Sequence, residues 1–338
     1  DVYKREGLHA DTGSVLGAAV KADVTVTFIG LKQGLFTGQG PDYCGELIFD
    51  DLAVPPETYE HVDTSAGRIT EEQVASLLPS RPRCAHKGRN GHVLVIGGNK
   101  GLIGAARMAG EAALRSGAGL VSVATRPEHV TAIVGACPEL MCHGVESKRQ
   151  LKSLLTAATS IAIGPGLGQD EWAQELLGAV LESSKPLVMD ADALNLLARE
   201  PVVRTNWVLT PHPGEAGRLL KMETPAIQQD RFASVTALQS RYGGIVVLKG
   251  CGTLVCHEDQ SIALCAAGNP GMAVGGMGDV LTGILAACIA QTNQLGASAD
   301  AAVYIHANAA DLAAAERGER GLLASDLLPY IQRLVNRP

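Results

Sequence analysis

From His92 onward the chain alternates between two hydrophobic rhythms. Short apolar runs at His92–Ile96, Leu120–Ala124, Ile161–Ile163, Leu187–Met189, Trp207–Leu209 and Ile245–Leu248 read as strands, and longer helical stretches separate them. That alternation predicts an α/β fold with a mostly parallel central sheet and helices on both faces. Ligands in such sheets bind beyond the carboxyl ends of the strands, and here those ends carry glycines, acids, a histidine and a lysine.

The first 57 residues are patterned differently. Val24–Ile29 and Leu47–Phe49 read as strands joined by a glycine-rich loop, too little to fold alone. A polar, proline-bearing stretch from Pro55 to Gly67 reads as linker, and Thr70-Glu71-Glu72-Gln73 opens a short helix with a capping box. The expected division is 1–57, a linker at 58–69, and a larger domain at 70–338.

Composition narrows the class. The 338 residues are 46% hydrophobic but only 4% aromatic and include 39 glycines, which suits an Ala/Val/Leu-packed enzyme with many tight strand-to-helix turns. A formal charge of -7 argues against nucleic acid or an anionic membrane as the main partner, while Lys87, Arg89 and Lys100 are candidates for a local basic pocket. No run approaches the ~20 apolar residues of a membrane span, and DVYKREGLHA lacks the apolar core of a signal peptide, so a cytosolic protein is expected. The eight cysteines include no CxxC and sit mostly in apolar runs, as reduced thiols do. Cys137 and Cys142-His143 fit no common zinc spacing.

The stretch Gly268–Leu285, GNPGMAVGGMGDVLTGIL, concentrates the candidate chemistry. After Asp279, apolar residues recur at Leu281, Ile284, Leu285, Cys288 and Ile289 with amphipathic-helix spacing, so Gly275, Gly276 and Gly278 lie at a helix N-terminus. Free backbone N–H groups there can hold a phosphate or a developing oxyanion. Asp279 beside them fits a base that takes a proton from an attacking hydroxyl, and it fits a helix-capping acid equally well.

Other strand ends add residues with two readings each. GGNKGLIGAA after the first strand is neither a Walker loop nor a good dinucleotide fingerprint, and its small residues also suit close helix packing. Gly164-Pro165-Gly166-Leu167-Gly168 lets a ligand approach the backbone or simply turns the chain. Asp190 and Asp192 are candidates for a magnesium or hydroxyl contact, with helix capping by Asp192 as the alternative. Prolines on both sides of His212 fix its loop, and Lys249-Gly250-Cys251-Gly252-Thr253 joins two strands with one cation that either serves a ligand or sits in solvent.

GMGD before an apolar helix resembles the GxGD signature of ribokinase-like kinases, and NPGMAVGGMGDVLTG resembles the NAD(P)H-hydrate dehydratase branch. The resemblance runs from about Lys87 to Leu328, with five motifs in the family's order; Val274 and Met277 depart from the commoner ATGGTGD form at side chains the mechanism does not need. It implies a ribokinase-like fold and an ADP-dependent hydro-lyase that restores NAD(P)H from its (6S)-hydrate, with ADP as co-substrate, Mg2+ as cofactor and a homo-oligomeric state. It implies that Asp279 is the base and the Gly276–Gly278 amides the anion hole. Ala105, Gly166 and His212 would contact the hydrate, Lys249–Thr253 and Gly278 the nucleotide, and Glu215 the phosphates or their metal. ADTGSVLGAAVKADVTVTFIGLKQGL similarly resembles the tail of the NAD(P)H-hydrate epimerase domain, without that domain's NNGGDG stretch, so no epimerase activity is expected. The rival readings are a ribokinase-like kinase of a small alcohol and a catalytically silent nucleotide-binding module.

Overall fold

The computed structural model describes residues 7–62 and 64–336. Near the N-terminus β1 (Val24–Phe28) and β2 (Glu46–Asp50) pair in parallel over a small core of Leu8, Leu35 and Cys44. The first strand stops at Phe28 rather than at Ile29, whose φ of 67° is outside the extended region.

The other ten strands form one sheet. They are β3 (Gly67–Arg68), β4 (His92–Ile96), β5 (Leu120–Thr125), β6 (Met141–Gly144), β7 (Ser160–Ile163), β8 (Leu187–Met189), β9 (Trp207–Leu209), β10 (Ile245–Leu248), β11 (Thr253–Cys256) and β12 (Ile262–Cys265). Their order is β3-β12-β11-β10-β9-β8-β7-β4-β5-β6, with β4 to β10 parallel and β11 antiparallel to both neighbours. β3 comes from the stretch read as linker; it extends the sheet edge by pairing with β12. Beyond it Thr70 caps its helix with the expected box, accepting from the Gln73 N–H.

The helices are α1 (Gly40–Cys44), α2 (Glu71–Leu77), α3 (Ile103–Arg115), α4 (Val130–Ala136), α5 (Lys148–Ala157), α6 (Glu171–Leu181) and α7 (Ala191–Arg199). They continue with α8 (Pro213–Leu220), α9 (Thr224–Gln229), α10 (Arg231–Tyr242), α11 (Met277–Thr292), α12 (Leu295–Arg317) and α13 (Leu328–Leu334). The two-residue period of the strands sorts the core. Val93, Val95, Ala162, Val188, Val208 and Val247 face α3, α11 and α12; Leu94, Ile96, Ile161, Leu187, Leu209 and Leu248 face α5 to α8 and α10.

α11 departs from the amphipathic expectation. Every residue from Val280 to Ile289 is buried, because the helix lies between the sheet and the α3/α12 layer. Gly283 makes that possible: a Cβ there would lie 2.1 Å from the Ala109 carbonyl oxygen of α3.

Candidate active site

The carboxyl ends of β10, β9, β8, β7 and β4 stand side by side, and the chemistry-bearing residues line that row. At its centre Lys249, just after β10, donates from Nζ to Asp190 Oδ1 at 2.5 Å, just after β8. Thr282 of α11 donates to the other Asp190 oxygen at 3.0 Å, and Glu215 Oε2 lies 3.9 Å from the same ammonium. Burial works against both charges, but their pairing outweighs it: Lys249 is held above the ordinary lysine range and Asp190 below the carboxylate range. Lys249 is therefore not a solvated strand cap.

The first turn of α11 lies on this pair. A Cβ on Gly278 would come within 3.3 Å of both Lys249 Nζ and Asp190 Oδ2, and Gly276 enters the helix at φ 96° with Met108 close by. Asp279 is half-buried in that turn. Burial, and then the charge of Asp190, push its carboxyl up to about 7, with Lys249 pulling the other way. A carboxylate that readily accepts a proton thus sits where free helix N–H groups can hold an anion. Below it, His306 of α12 is buried, hydrogen-bonded to the Met277 backbone, and depressed to about 4 by burial and by Lys249; its Nε2 has no partner among the described residues.

His212 caps α8. Its Nδ1 accepts the N–H groups of Gly214 at 3.0 Å and Glu215 at 3.4 Å, while Glu215 Oε2 accepts the His212 N–H at 2.8 Å. Burial, followed by Lys249 and Arg218, lowers its proton affinity, so the ring is neutral with its proton on Nε2, which is 3.4 Å from Glu215 Oε1. Glu215 itself is buried, and that burial raises its carboxyl against the pull of Lys249.

Further along the row Gly164, Gly166 and Gly168 have φ of 130°, 58° and 73°, so this loop needs glycine for its backbone. A Cβ on Gly166 would lie 2.5 Å from the Leu102 carbonyl oxygen and 3.2 Å from Ala105 Cβ, placing the two residues in contact across the β7 and β4 ends. The chain order reverses there, since β5 and β6 continue on one side and β7 to β10 on the other; such a switch point leaves a crevice for a ligand. Asp192 holds this loop by accepting the Gly168 N–H at 2.9 Å, while Asp190 occupies the α7 cap position, so of the two readings of Asp192 helix capping does not hold. On the other flank Lys249–Thr253 links β10 to β11, with Gly250 at φ 138°, Gly252 at 62°, and Thr253 Oγ1 donating to the Gly250 carbonyl at 3.0 Å.

Lys87, Arg89 and Lys100 do not converge. The first two precede β4 and the third follows it, so a five-residue strand separates them, roughly 17 Å of chain. Arg89 instead lines a cleft of about 1100 Å³ with Arg81, Arg107 and Arg115, away from the strand-end row. Among the described residues no cluster of three or more His, Cys, Asp or Glu could hold a metal, and no helix is long and apolar enough to cross a membrane.

The family described as NAD(P)H-hydrate dehydratase matches residues 93–333, which includes every strand end just described. The chain belongs to the NAD(P)H-hydrate dehydratase family. Its reaction class is accordingly that of a hydro-lyase on a ribokinase-like fold. This dehydratase is 56% identical to a bifunctional NAD(P)H-hydrate repair enzyme of Coxiella burnetii over 98% of its own length and 68% of the relative's. To the Escherichia coli K12 protein of the same description it is 47% identical, over 98% and 64%. It therefore spans about two thirds of the curated relatives it matches. A Bacillus subtilis ADP/ATP-dependent NAD(P)H-hydrate dehydratase, co-crystallised with ATP and Mg2+, superposes with TM-score 0.72 at 31% identity, covering 80% of this chain and 98% of that one. A ribokinase-like protein from Enterococcus faecalis superposes with TM-score 0.74 at 30% identity, over 81% and 96%.

The fold brings together Asp279, Gly276, Gly278, Lys249, His212 and Glu215 around one buried ion pair, and Ala105 with Gly166 at the neighbouring strand ends. Sequence reasoning missed Thr282 and His306 as members of this site and left Asp190 as an ambiguous acid. Asp190 and Thr282 are 92 residues apart, and only the juxtaposition of β8 with α11 makes them partners.

Proposed function

We propose that this dehydratase restores NAD(P)H from (6S)-NAD(P)H hydrate by phosphoryl transfer from ADP, releasing AMP and phosphate. The supporting observation is Asp279, a carboxyl raised to about 7 in the first turn of α11 beside Gly276 and Gly278. Hydroxide is a poor leaving group. Asp279 takes the proton of the ring hydroxyl as its oxygen attacks the β-phosphorus of ADP; the bond to AMP breaks, and the Gly276–Gly278 amides carry the transferring group. The phosphate then leaves as the ring nitrogen pushes electrons in, and the adjacent ring carbon gives up a proton to restore the dihydropyridine.

Ala105, Gly166 and the exposed, neutral ring of His212 hold the hydrate in this reading, and Lys249–Thr253 with Gly278 hold the nucleotide. Lys249 keeps its charge through Asp190 and so offers a fixed positive field to phosphates. Mg2+ is commonly held by one or two carboxylates plus substrate phosphates, which fits a single buried Glu215 better than a dedicated protein cage. When bound, the ion neutralises phosphate charge. We further read residues 1–57 as the end of an epimerase-like unit, 58–69 as linker and 70–338 as the dehydratase unit, in a cytosolic homo-oligomer whose assembly light scattering would measure.

The test is to supply pure (6S)-hydrate with ADP and Mg2+ and follow the near-ultraviolet absorbance of dihydronicotinamide alongside AMP. Stoichiometric return of both supports the reading. A phosphorylated small alcohol with no return of absorbance would point to a kinase instead.

A further inference from the structure

The loop read above as the nucleotide site is shaped from beneath by two fully buried side chains outside every motif. Arg231, the first residue of α10, sends Nη2 to the carbonyls of Leu248, Lys249 and Gly252 at 3.1, 3.3 and 3.4 Å, and Nη1 to Gln228 Oε1 at 2.7 Å. Its Nε donates at 2.9 Å to the hydroxyl of Thr37, from the N-terminal segment. That hydroxyl has Gly252 O at 2.9 Å and Cys251 O at 3.1 Å as acceptors for its own proton, and the Gly38 N–H donates to Cys251 O at 3.2 Å. The fit is tight on this side: a Cβ on Gly252 would lie 1.9 Å from the Phe36 carbonyl oxygen.

Among the described residues Arg231 has no carboxylate within ion-pair distance. A buried cation without a counter-ion is costly unless its donors are all occupied, so Thr37 supplies an acceptor the guanidinium needs. The arrangement also leaves a positive charge directly under the loop, where an anionic ligand would find it. Residues 36–38 therefore take part in defining the loop's conformation, although they are more than 190 residues away in sequence.

We propose that Thr37 is a positioning residue of the nucleotide site, so that docking of the segment around Thr37 and binding of a nucleoside diphosphate at Lys249–Thr253 are energetically coupled. The inference rests on the reading of that loop as the nucleotide site. Loss of the hydroxyl leaves Arg231 Nε without its acceptor and takes from the loop a donor shared by the Gly252 and Cys251 carbonyls, which keep only Arg231 Nη2 and the Gly38 N–H; the loop loosens without touching the hydrate contacts. Because coupling is reciprocal, bound nucleotide in turn holds the N-terminal segment down.

The test uses the full chain and ADP as probe. Thr37→Val keeps the shape and removes the hydroxyl. ADP binding by calorimetry, without hydrate, should weaken roughly five- to twentyfold, while the half-saturating hydrate concentration and turnover at saturating ADP stay within about twofold. Thr37→Ser should restore ADP affinity, and ADP should slow hydrogen exchange at Gly38 in the native protein but not in the valine variant. If the valine variant does not fold, Thr37→Cys takes its place with the same expected order. Equal ADP affinity in native and valine proteins would overturn the inference alone; so would equal losses for ADP and hydrate that serine does not rescue. A native protein that binds no ADP would remove the nucleotide reading and this inference with it.

Discussion

Asp279 is a group the fold holds at a cost. Raised to about 7 from an ordinary 3.8, it stays protonated in the folded protein over a pH range where the unfolded chain has lost the proton. The folded state therefore binds more protons between those values, and stability declines as pH rises from about 4 to about 7, then levels off. Above pH 7 the ionised carboxylate costs on the order of 2–4 kcal/mol. Asp279→Asn keeps the size, cannot accept a proton, and removes that cost; it should abolish turnover, leave ADP binding intact and raise the unfolding midpoint at pH 8. Near-normal turnover in the variant would sink the base assignment, because a capping residue tolerates this change. For the native enzyme kcat/KM should fall about tenfold per pH unit below about 7, read from initial rates in a series of buffers. A flat profile there would mean that another group takes the proton. At this scale the sequence was informative where function is local: Asp279 and its glycines lie within five consecutive positions. Thr282, His306 and Arg231 were illegible as site residues, and Asp190 was legible only as an acid of open role, because a side chain's partner is set by tertiary distance, which no local pattern encodes.

Elements were legible to the degree that their cause is local. The capping box at Thr70 is a four-residue device, and six of the seven parallel strands from β4 to β10, all but the only partly buried β6, were found within a residue or two because apolar runs report burial directly. β3 was not, since two residues become a strand only by pairing with β12, almost two hundred positions on. α11 was recognised as a helix and misjudged in its surroundings: its spacing suggested one wet face, whereas it is wrapped on all sides. Gly283 holds the consequence. In an exposed helix Gly→Ala would stabilise by about 1 kcal/mol, but here the new methyl meets the Ala109 carbonyl oxygen, so Gly283→Ala should destabilise by about 1–3 kcal/mol. Urea unfolding would show it as a lowered midpoint at unchanged slope. Because α11 also carries Thr282 and Asp279, any shift of α11 away from α3 should lower turnover as well. A raised midpoint would mean that the two helices have room to part.

Across the whole molecule, on our reading of the site, the sheet distributes two ligands along one row of strand ends. The class of this sheet and the use of its carboxyl edge were legible in the alternation of strands and helices, whereas the strand order was not, since it depends on which crossovers pass which neighbours. That order places Ala105 and Gly166 at the β4/β7 switch and the Lys249–Thr253 loop beyond β10, with His212 on β9's side of the central ion pair. On our reading of the site, the hydrate pocket and the nucleotide pocket meet at Asp279 and diverge from it. His212→Ala should then mainly raise the half-saturating hydrate concentration, and Thr253→Val mainly that of ADP, because each removes a contact to one ligand. The expected changes are several-fold, the scale of a single lost hydrogen bond of about 1 kcal/mol. The double variant should multiply the two effects to within about twofold, as substitutions without shared partners do. Steady-state kinetics with each substrate varied in turn measures all four constants. If both single variants weakened both ligands equally, the simpler account would be a folding defect common to the two, and the pockets would not be separable along the row.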